Sequence, residues 1–176
     1  RPFGAALRDL NHIHASAQQL GRLSGDVLDL TSSEAGQLHL FREQLDLAEL
    51  LRGLAPLGEQ MAREQGLAWR VSLPARGPHV LGDRTRLRQV VLNLISNAVK
   101  FTEQGAVALE LGLADGQALV SISDTGIGVP DAERELIFHE FHRAEAAQRP
   151  GTSGLGLGLA VCRQLLALHG GTLGLR

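Results

Sequence analysis

The chain has 176 residues, of which 44% are hydrophobic and 20% are charged, a balance that supports a core and argues against global disorder. Its formal net charge is −2 and no run of like charges occurs, which argues against binding to nucleic acid or to an anionic membrane surface. A single cysteine cannot form an internal disulfide, so we expect a cytoplasmic segment. No stretch reads as a membrane span, and no membrane contact is expected.

The first third of the chain predicts one long helix that ends near Gly36. Ile13, Leu20 and Val27 recur every seven residues and form an apolar seam suited to a partner helix. The alternative is a helix that packs on its own domain. We therefore divide the chain into a helical region, residues 1–36, and a second domain, residues 37–176.

The second domain alternates predicted strands and helices. In order, these are an edge strand in "LHLFREQLDL", a helix capped by Asp46, a strand in "LAWRVSL", a helix from about Arg84 to Phe101 capped by Asp83, a hairpin of "AVALELGL" and "ALVSIS", a short helix opened by Pro130, a last helix in "LAVCRQLLALHGG", and the start of a strand in "TLGLR". Because a hairpin interrupts the alternation, the sheet should be mixed rather than purely parallel.

Three polar residues form a stripe on the helix that follows Asp83. Asn93, Asn97 and Lys100 lie at i, i+4 and i+7, beside the apolar stripe. Asparagine is a poor helix former, and its amide oxygen suits a hard cation such as Mg²⁺ that also binds phosphates. A solvated polar face is the equally weighted alternative.

A second candidate site is "VSISDTGIGVP", in which a strand delivers Asp124 at its end as a buried acceptor. Gly126 and Gly128 would let the backbone approach a ligand, and the carboxylate could accept from an exocyclic amine such as that of adenine. The alternatives are a plain Asp-Gly turn and the Asp-Thr-Gly of aspartic proteases. The protease pattern predicts a small residue where Ile127 stands, and it needs a second copy of the motif.

Two further patterns are weaker when taken alone. The glycines of "GTSGLGLGLA" fit neither a dinucleotide fingerprint nor a P-loop, since Leu159 follows the last of them. In "FHEFHR", His139 and His142 are three residues apart, whereas the zinc motif requires four. We interpret these histidines as surface or interface residues.

Taken in order, the segments resemble the four sequence boxes of sensor histidine kinases. "RLRQVVLNLISNAVKFTEQG" is similar to the N box, "DTGIGVP" to the G1 box, "IFHEFHR" to the F box and "GLGLGLAVCRQLLALHGG" to the G2 box. The first helix resembles the second helix of the dimerisation and histidine-phosphotransfer region. The resemblance implies a Bergerat-type α/β two-layer sandwich, with a mixed sheet and helices on one face.

The resemblance also implies an ATP site with bound Mg²⁺. Asn97 matches the metal ligand, Asp124 the adenine-binding carboxylate, and Arg143 a residue that reaches the γ-phosphate. The ATP-binding positions that it implies are Asn93, Asn97, Lys100, Phe101, Asp124, Gly126, Gly128, Arg143, Gly154, Gly156 and Gly158. In this family the glycine run borders the triphosphate at a helix N-terminus, where free N–H groups favour anions.

The chain departs from the family pattern in three ways. It lacks the acceptor-histidine helix, Leu155 stands where Ser or Thr is common, and the final strand that completes the sheet is missing. His139 precedes an acidic residue but belongs to the F box, so we do not interpret it as the acceptor. We expect a segment from Ala144 to Ser153 to form a lid.

The expected function is transfer of the γ-phosphoryl group of Mg-ATP to a histidine outside this chain, for relay to a response-regulator aspartate. The expected partners are a second copy, bound through the N-terminal helix, and a receiver domain. One alternative is a gyrase-, mismatch-repair- or chaperone-type ATPase, although Gln89, Asn93 and Ser96 occupy the positions of the water-activating acid. The other is a non-catalytic nucleotide-binding or dimerisation module.

Overall fold

The computed structural model describes residues 38–144 and 155–176, together with scattered residues between Leu10 and Ser32. The chain divides into two units, Arg1–Leu38 and His39–Arg176. In the first unit the described residues from Leu10 to Ser32 are helical, as predicted. The seam residues Ile13, Leu20 and Val27 are exposed. The predicted helix end at Gly36 lies outside the described residues.

The second unit contains five strands and three helices among its described residues. In chain order the elements are β1 (Glu43–Asp46), α1 (Leu47–Glu64), β2 (Ala68–Ser72), β3 (His79–Gly82), α2 (Arg84–Lys100), β4 (Ala106–Ala114), β5 (Gln117–Asp124), two 3₁₀ turns (Asp131–Glu133 and Leu136–Phe138) and α3 (Gly158–Leu168).

The main sheet has the order β2-β4-β5 and is mixed, as predicted. β2 pairs in parallel with β4, with Ala68 opposite Ala106, whereas β4 pairs antiparallel with β5, with Val107 opposite Asp124. A separate two-stranded ladder joins β1 and β3 antiparallel. The predicted edge strand is thus confirmed only over β1. β3 was not predicted, since four residues ending in glycine carry little strand signal.

The core lies between one face of the main sheet and helices α1 and α2. Leu51 and Leu54 of α1, Ile95 of α2, and Val107 and Leu109 of β4 are all fully buried. The two helices therefore cover one face of the sheet, which is the two-layer arrangement that the resemblance implies.

Aspartates cap α1 and α2, as predicted. Asp46 Oδ1 accepts from the backbone N–H groups of Ala48 (2.8 Å), Glu49 (3.2 Å) and Gly77 (3.1 Å). The Glu49 N–H has the largest effect and holds the pKa of Asp46 below its usual value, although burial opposes the shift. Asp83 Oδ1 accepts from the N–H of Arg86 at 3.1 Å and fixes the start of α2.

The short helix predicted after Pro130 is a 3₁₀ turn, Asp131–Glu133. One local prediction is wrong. Thr172–Arg176 forms no strand, although "TLGLR" predicts one, because these residues pair with no neighbouring strand. Within the part of the chain that the structure describes, no helix combines the length and the apolar character needed to cross a membrane.

Candidate functional site

The polar stripe of α2 faces the start of α3. Asn93 and Asn97 are half-buried and Lys100 is exposed. The Asn93 Nδ2 atom is buried, and the structure gives it no hydrogen-bond partner. A Cβ atom built on Gly158, the first residue of α3, would lie 4.0 Å from it. An amide donor that has lost its water without gaining an acceptor carries a free-energy cost, so this position favours a ligand that supplies an acceptor.

The N-terminus of α3 is formed by closely packed backbone. Leu157 occupies the cap position without a side-chain hydrogen bond to the helix. Gly156 has φ of +72°, and a Cβ atom there would overlap the His142 carbonyl oxygen and lie 3.0 Å from the Phe141 carbonyl carbon. Glycine is therefore needed at position 156, both for its conformation and for space. Leu155 is exposed, and the predicted phosphate-bordering Gly154 lies outside the described residues.

Two cationic side chains converge at the C-terminal end of α2. Lys100 Nζ lies 5.0 Å from the centroid of the Phe101 ring. The pKa of Lys100 is lowered because its ammonium group is partly desolvated and, to a smaller extent, because the positive charge of Arg143 is near. An anion between the two groups would relieve their repulsion, so this is a favourable place for phosphate oxygens.

Asp124 is held at the end of β5 by the backbone at the end of α2. Its Oδ1 accepts from the Gly126 N–H at 2.8 Å. A Cβ atom on Gly126 would overlap the Phe101 carbonyl oxygen, which accepts from the Ile127 N–H at 3.2 Å. The glycine thus brings the Asp124 loop against α2. The expectation of a buried carboxylate is wrong, since Asp124 is exposed.

Gly128 differs from Gly126 in its surroundings. Its φ is +66°, and a Cβ atom there would have no neighbour within 4 Å. The position needs glycine for backbone conformation, but it leaves open space beside the Asp124 loop. A ligand could therefore approach the backbone at Gly128, and its place next to the ligand stays a prediction.

The segment that resembles the F box is held by contacts of Phe138 and His142. Phe138 is buried, and the guanidinium of Arg163 in α3 lies 5.9 Å from its ring centroid. His142 Nε2 is buried without a hydrogen bond and lies 3.8 Å from Glu133 Oε2. Among the described residues no group of three or more His, Cys, Asp or Glu side chains could hold a metal ion. The predicted lid, apart from Ala144, lies outside those residues.

Sequence reasoning missed Thr102 near the site and His169 at the far end of α2. The buried Thr102 hydroxyl donates to the Ala98 carbonyl (2.7 Å) and lies 3.4 Å from Asp124 Oδ1. Its position directly after α2 is the one sequence signal that could have identified it. His169 joins α3 to the start of α2, across 86 residues of sequence, and no local pattern indicates that contact.

The structure therefore brings three elements to one region. The end of α2, the start of α3 and the loop after β5 meet through the Asn93–Gly158 approach, the Lys100–Arg143 pair and the Phe101–Gly126 contact. The Asn93 amide lies toward α3, Lys100 and Arg143 lie near the end of α2, and the Asp124 carboxylate lies at the end of β5. This division suits a ligand with an anionic end and a hydrogen-bond-donating end.

The sequence of this chain is similar to those of known proteins. Residues 82–176 match the family described as histidine kinase-, DNA gyrase B- and HSP90-like ATPase. The circadian input-output histidine kinase CikA of Synechococcus elongatus is 40% identical over 162 residues, which are 90% of this chain and 22% of that protein. The aerobic respiration control sensor protein ArcB of Escherichia coli is 37% identical over 92% of this chain and 21% of its own length. The chain thus spans about a fifth of these relatives.

Solved structures agree with these matches. Full-length ShkA, crystallised in complex with AMPPNP, has a TM-score of 0.74 and 40% identity, and the match covers 90% of this chain and 33% of that one. Histidine kinase ThkA, in complex with the response regulator protein TrrA, has a TM-score of 0.66 and 25% identity over 88% of this chain and 43% of that one. The matched residues include α2, β4, β5 and α3, and the chain belongs to the histidine kinase-, DNA gyrase B- and HSP90-like ATPase family, as an ATP-binding catalytic domain of the histidine kinase type.

Proposed function

We propose that this chain binds Mg-ATP between α2, α3 and the loop after β5, and presents its γ-phosphate to a histidine outside the chain. The observation that carries the proposal is the buried, unpaired Asn93 Nδ2 atom, which faces the start of α3 on the same helix that bears Lys100. A triphosphate would supply an acceptor for the Asn93 amide and would place negative charge near Lys100 and Arg143. The nucleotide analogue in the ShkA complex supports the assignment by likeness.

The adenine end is assigned to Asp124. The Gly126 N–H holds Oδ1, while Oδ2 has no partner among the described residues and is available to accept from an exocyclic amine. The exposed carboxylate would become buried by the base itself. The Thr102 hydroxyl lies 3.4 Å from Oδ1, and its one proton goes either to that oxygen or to the nearer Ala98 carbonyl.

The amide groups of Asn97 and Asn93 would hold Mg²⁺ and the phosphates on α2. Oxygen donors on one helix face suit this ion, which takes few protein ligands and keeps phosphates and waters as the others. When bound, the ion would neutralise part of the phosphate charge. Lys100 and Arg143 would orient the phosphates from the other side, so the chain would act mainly by positioning and by charge.

The same helix gives a reason for transfer to a side chain rather than to water. α2 contains no Asp or Glu that could activate a water molecule. Gln89 occupies one of the positions where related ATPases carry the water-activating acid. Its amide oxygen accepts from the guanidinium of Arg86 at 3.0 Å. We propose that a histidine on a separate acceptor helix takes the phosphoryl group, with the N-terminal unit as the dimerising helix and a response regulator as the final acceptor. The ThkA complex with TrrA supports this by likeness.

A titration with a fluorescent ATP analogue tests the nucleotide site. Asn97→Ala should weaken binding more in the presence of Mg²⁺ than in excess chelator, because its amide oxygen serves the ion. Asp124→Ala should weaken binding about 5- to 100-fold in both conditions, through the unpaired base amine. Arg88→Ala, on the α1-facing side of α2, is the matched control and should bind like the parent. Parent-like affinity of Asp124→Ala would remove the adenine assignment.

Phosphoryl transfer needs its own test. Incubated alone with γ-labelled ATP, the chain should acquire no acid-labile phosphate, whereas an added acceptor helix of the family type should become labelled. Mass spectrometry would locate the phosphate. Labelling of His12, His14 or His139 in the chain alone would contradict the external acceptor.

A further inference from the structure

Helices α2 and α3 run antiparallel, and α3 lies along the half of α2 from Asp83 to Asn93. At one end, Asn93 of α2 faces Gly158 of α3, in the proposed nucleotide site. Midway, the Cys162 thiol lies 3.8 Å from the Val90 carbonyl oxygen. At the other end, the N–H of Asp83 donates to His169 Nε2 at 2.9 Å. Residues later in α2 thus lie next to residues earlier in α3.

The remote end is held by a fully bonded imidazole. His169 Nδ1 lies 2.6 Å from the Leu165 carbonyl oxygen, which can only accept, so Nδ1 carries the proton. Nε2 of the neutral ring is then the acceptor for the Asp83 N–H. The ring comes this close because residue 82 is glycine, whose added Cβ would lie 3.1 Å from His169 Cδ2.

The segment entering the second unit is attached to the same place. The Phe41 N–H donates to Asp83 Oδ2 at 3.0 Å, and Arg42 Nη2 donates to the Leu168 carbonyl oxygen at 2.8 Å. Asp83 therefore accepts from Phe41 through its carboxylate and donates to His169 through its backbone N–H. This cluster joins the entering segment to both helices of the proposed site.

We propose that His169 is a positioning residue for the nucleotide site: through the Asp83 N–H it fixes α3 against α2, and so sets the approach of Asn93 to Gly158. The proposal rests on the proposed function. His169 does not touch the ligand, since ten helical residues separate Asp83 from Asn93, a distance of about 15 Å. Its effect travels along two helices whose other faces are fixed in the core.

The test compares His169→Leu, which removes the acceptor, with His169→Gln, whose amide oxygen can replace Nε2. Leu109→Ala, a core change in β4 away from the α2–α3 contact, controls for a general loss of stability. All are measured as the full chain, well below their melting temperatures. We expect His169→Leu to bind the fluorescent ATP analogue about fivefold or more weakly. His169→Gln and Leu109→Ala should stay within about twofold of the parent.

Hydrogen exchange in the nucleotide-free chain provides a second readout. Amides from Asn93 to Lys100 should exchange faster in His169→Leu than in His169→Gln, which keeps an acceptor at the same place. Parent-like affinity and exchange in His169→Leu would overturn the proposal, as would equal losses in the Gln and Leu variants. If the parent binds no nucleotide, the proposed function fails, and the exchange pattern still decides whether His169 positions α2.

Discussion

A single methyl group at Gly126 should separate the Asp124 loop from the end of α2. In Gly126→Ala the new Cβ would overlap the Phe101 carbonyl oxygen and lie 2.8 Å from Asp124 Oδ1 and 2.9 Å from the Phe101 carbonyl carbon. Ordinary contacts of this kind need about 3.5 Å or more, so the loop must move by about 1 Å. That shift would break the 3.2 Å bond from the Ile127 N–H to Phe101.

The magnitude follows from these contacts. Overpacking against backbone, together with one lost hydrogen bond, should lower the free energy of unfolding by about 2–4 kcal/mol. Gly128→Ala is the matched control, because its φ of +66° strains alanine but its surroundings are open. Strain alone should cost about 1–2 kcal/mol.

Urea denaturation gives both unfolding free energies, and titration with the fluorescent ATP analogue gives the affinities of the folded proteins. Gly126→Ala should be the less stable variant and should also bind the analogue more weakly than Gly128→Ala, since Asp124 moves with the loop. If the two variants were equally stable and bound the analogue equally well, the close approach of the loop to Phe101 would have no role in the site.

Two further predictions concern charge. Because partial desolvation and the charge of Arg143 lower the pKa of Lys100 and a bound anion would raise it, nucleotide affinity should fall as pH rises through the lowered pKa of the free protein, with proton uptake on binding. Lys100→Arg, which stays charged, should flatten that profile, and calorimetry in buffers of different ionisation enthalpy would detect the proton; an equally steep profile would remove Lys100 from the site. For Asp83, burial would raise the pKa, but the N–H groups of Arg86, Phe41 and Thr85 outweigh it and hold the pKa below its usual value. Its stabilisation is complete above about pH 4 and is lost as pH falls through the lower folded value, so Asp83→Ala should cost about 1–2 kcal/mol at pH 7 and less at pH 3, by urea denaturation. A cost that does not change with pH would contradict the role of the carboxylate.

Local signals in the sequence predicted much of the fold. The caps Asp46 and Asp83 begin their helices, and the "ADGQ" turn joins β4 to β5 with positive φ at Asp115 and Gly116. These features depend on neighbouring residues and their own dihedral angles. β3 was missed because its stability comes from pairing with β1, more than thirty residues earlier, and "TLGLR" was overpredicted because a strand-like composition forms no strand without a partner.

The site divides in the same way. Helical spacing placed Asn93, Asn97 and Lys100 together from the sequence alone, but no period could show that Arg143 lies near Lys100. The resemblance to sensor histidine kinases predicted that connection, because it implies that the four boxes surround one ATP site. The contact of His169 with Asp83 followed from neither source, because both residues lie at helix ends and the bond uses a backbone N–H.

The unfavourable features of this domain are concentrated where the ligand is proposed to bind. Asn93 buries an unpaired donor, and Lys100 is partly desolvated near a like charge. The opposite face of α2 is fixed by fully buried Ile95 against the sheet, so these groups cannot relax by rearranging the helix. An anion that accepts from Asn93 and lies between the two cations would offset both costs at once. The core, rather than contacts within the site, therefore fixes the positions of these groups. Because the groups need not rearrange when a phosphate binds, the binding energy can serve to position that phosphate.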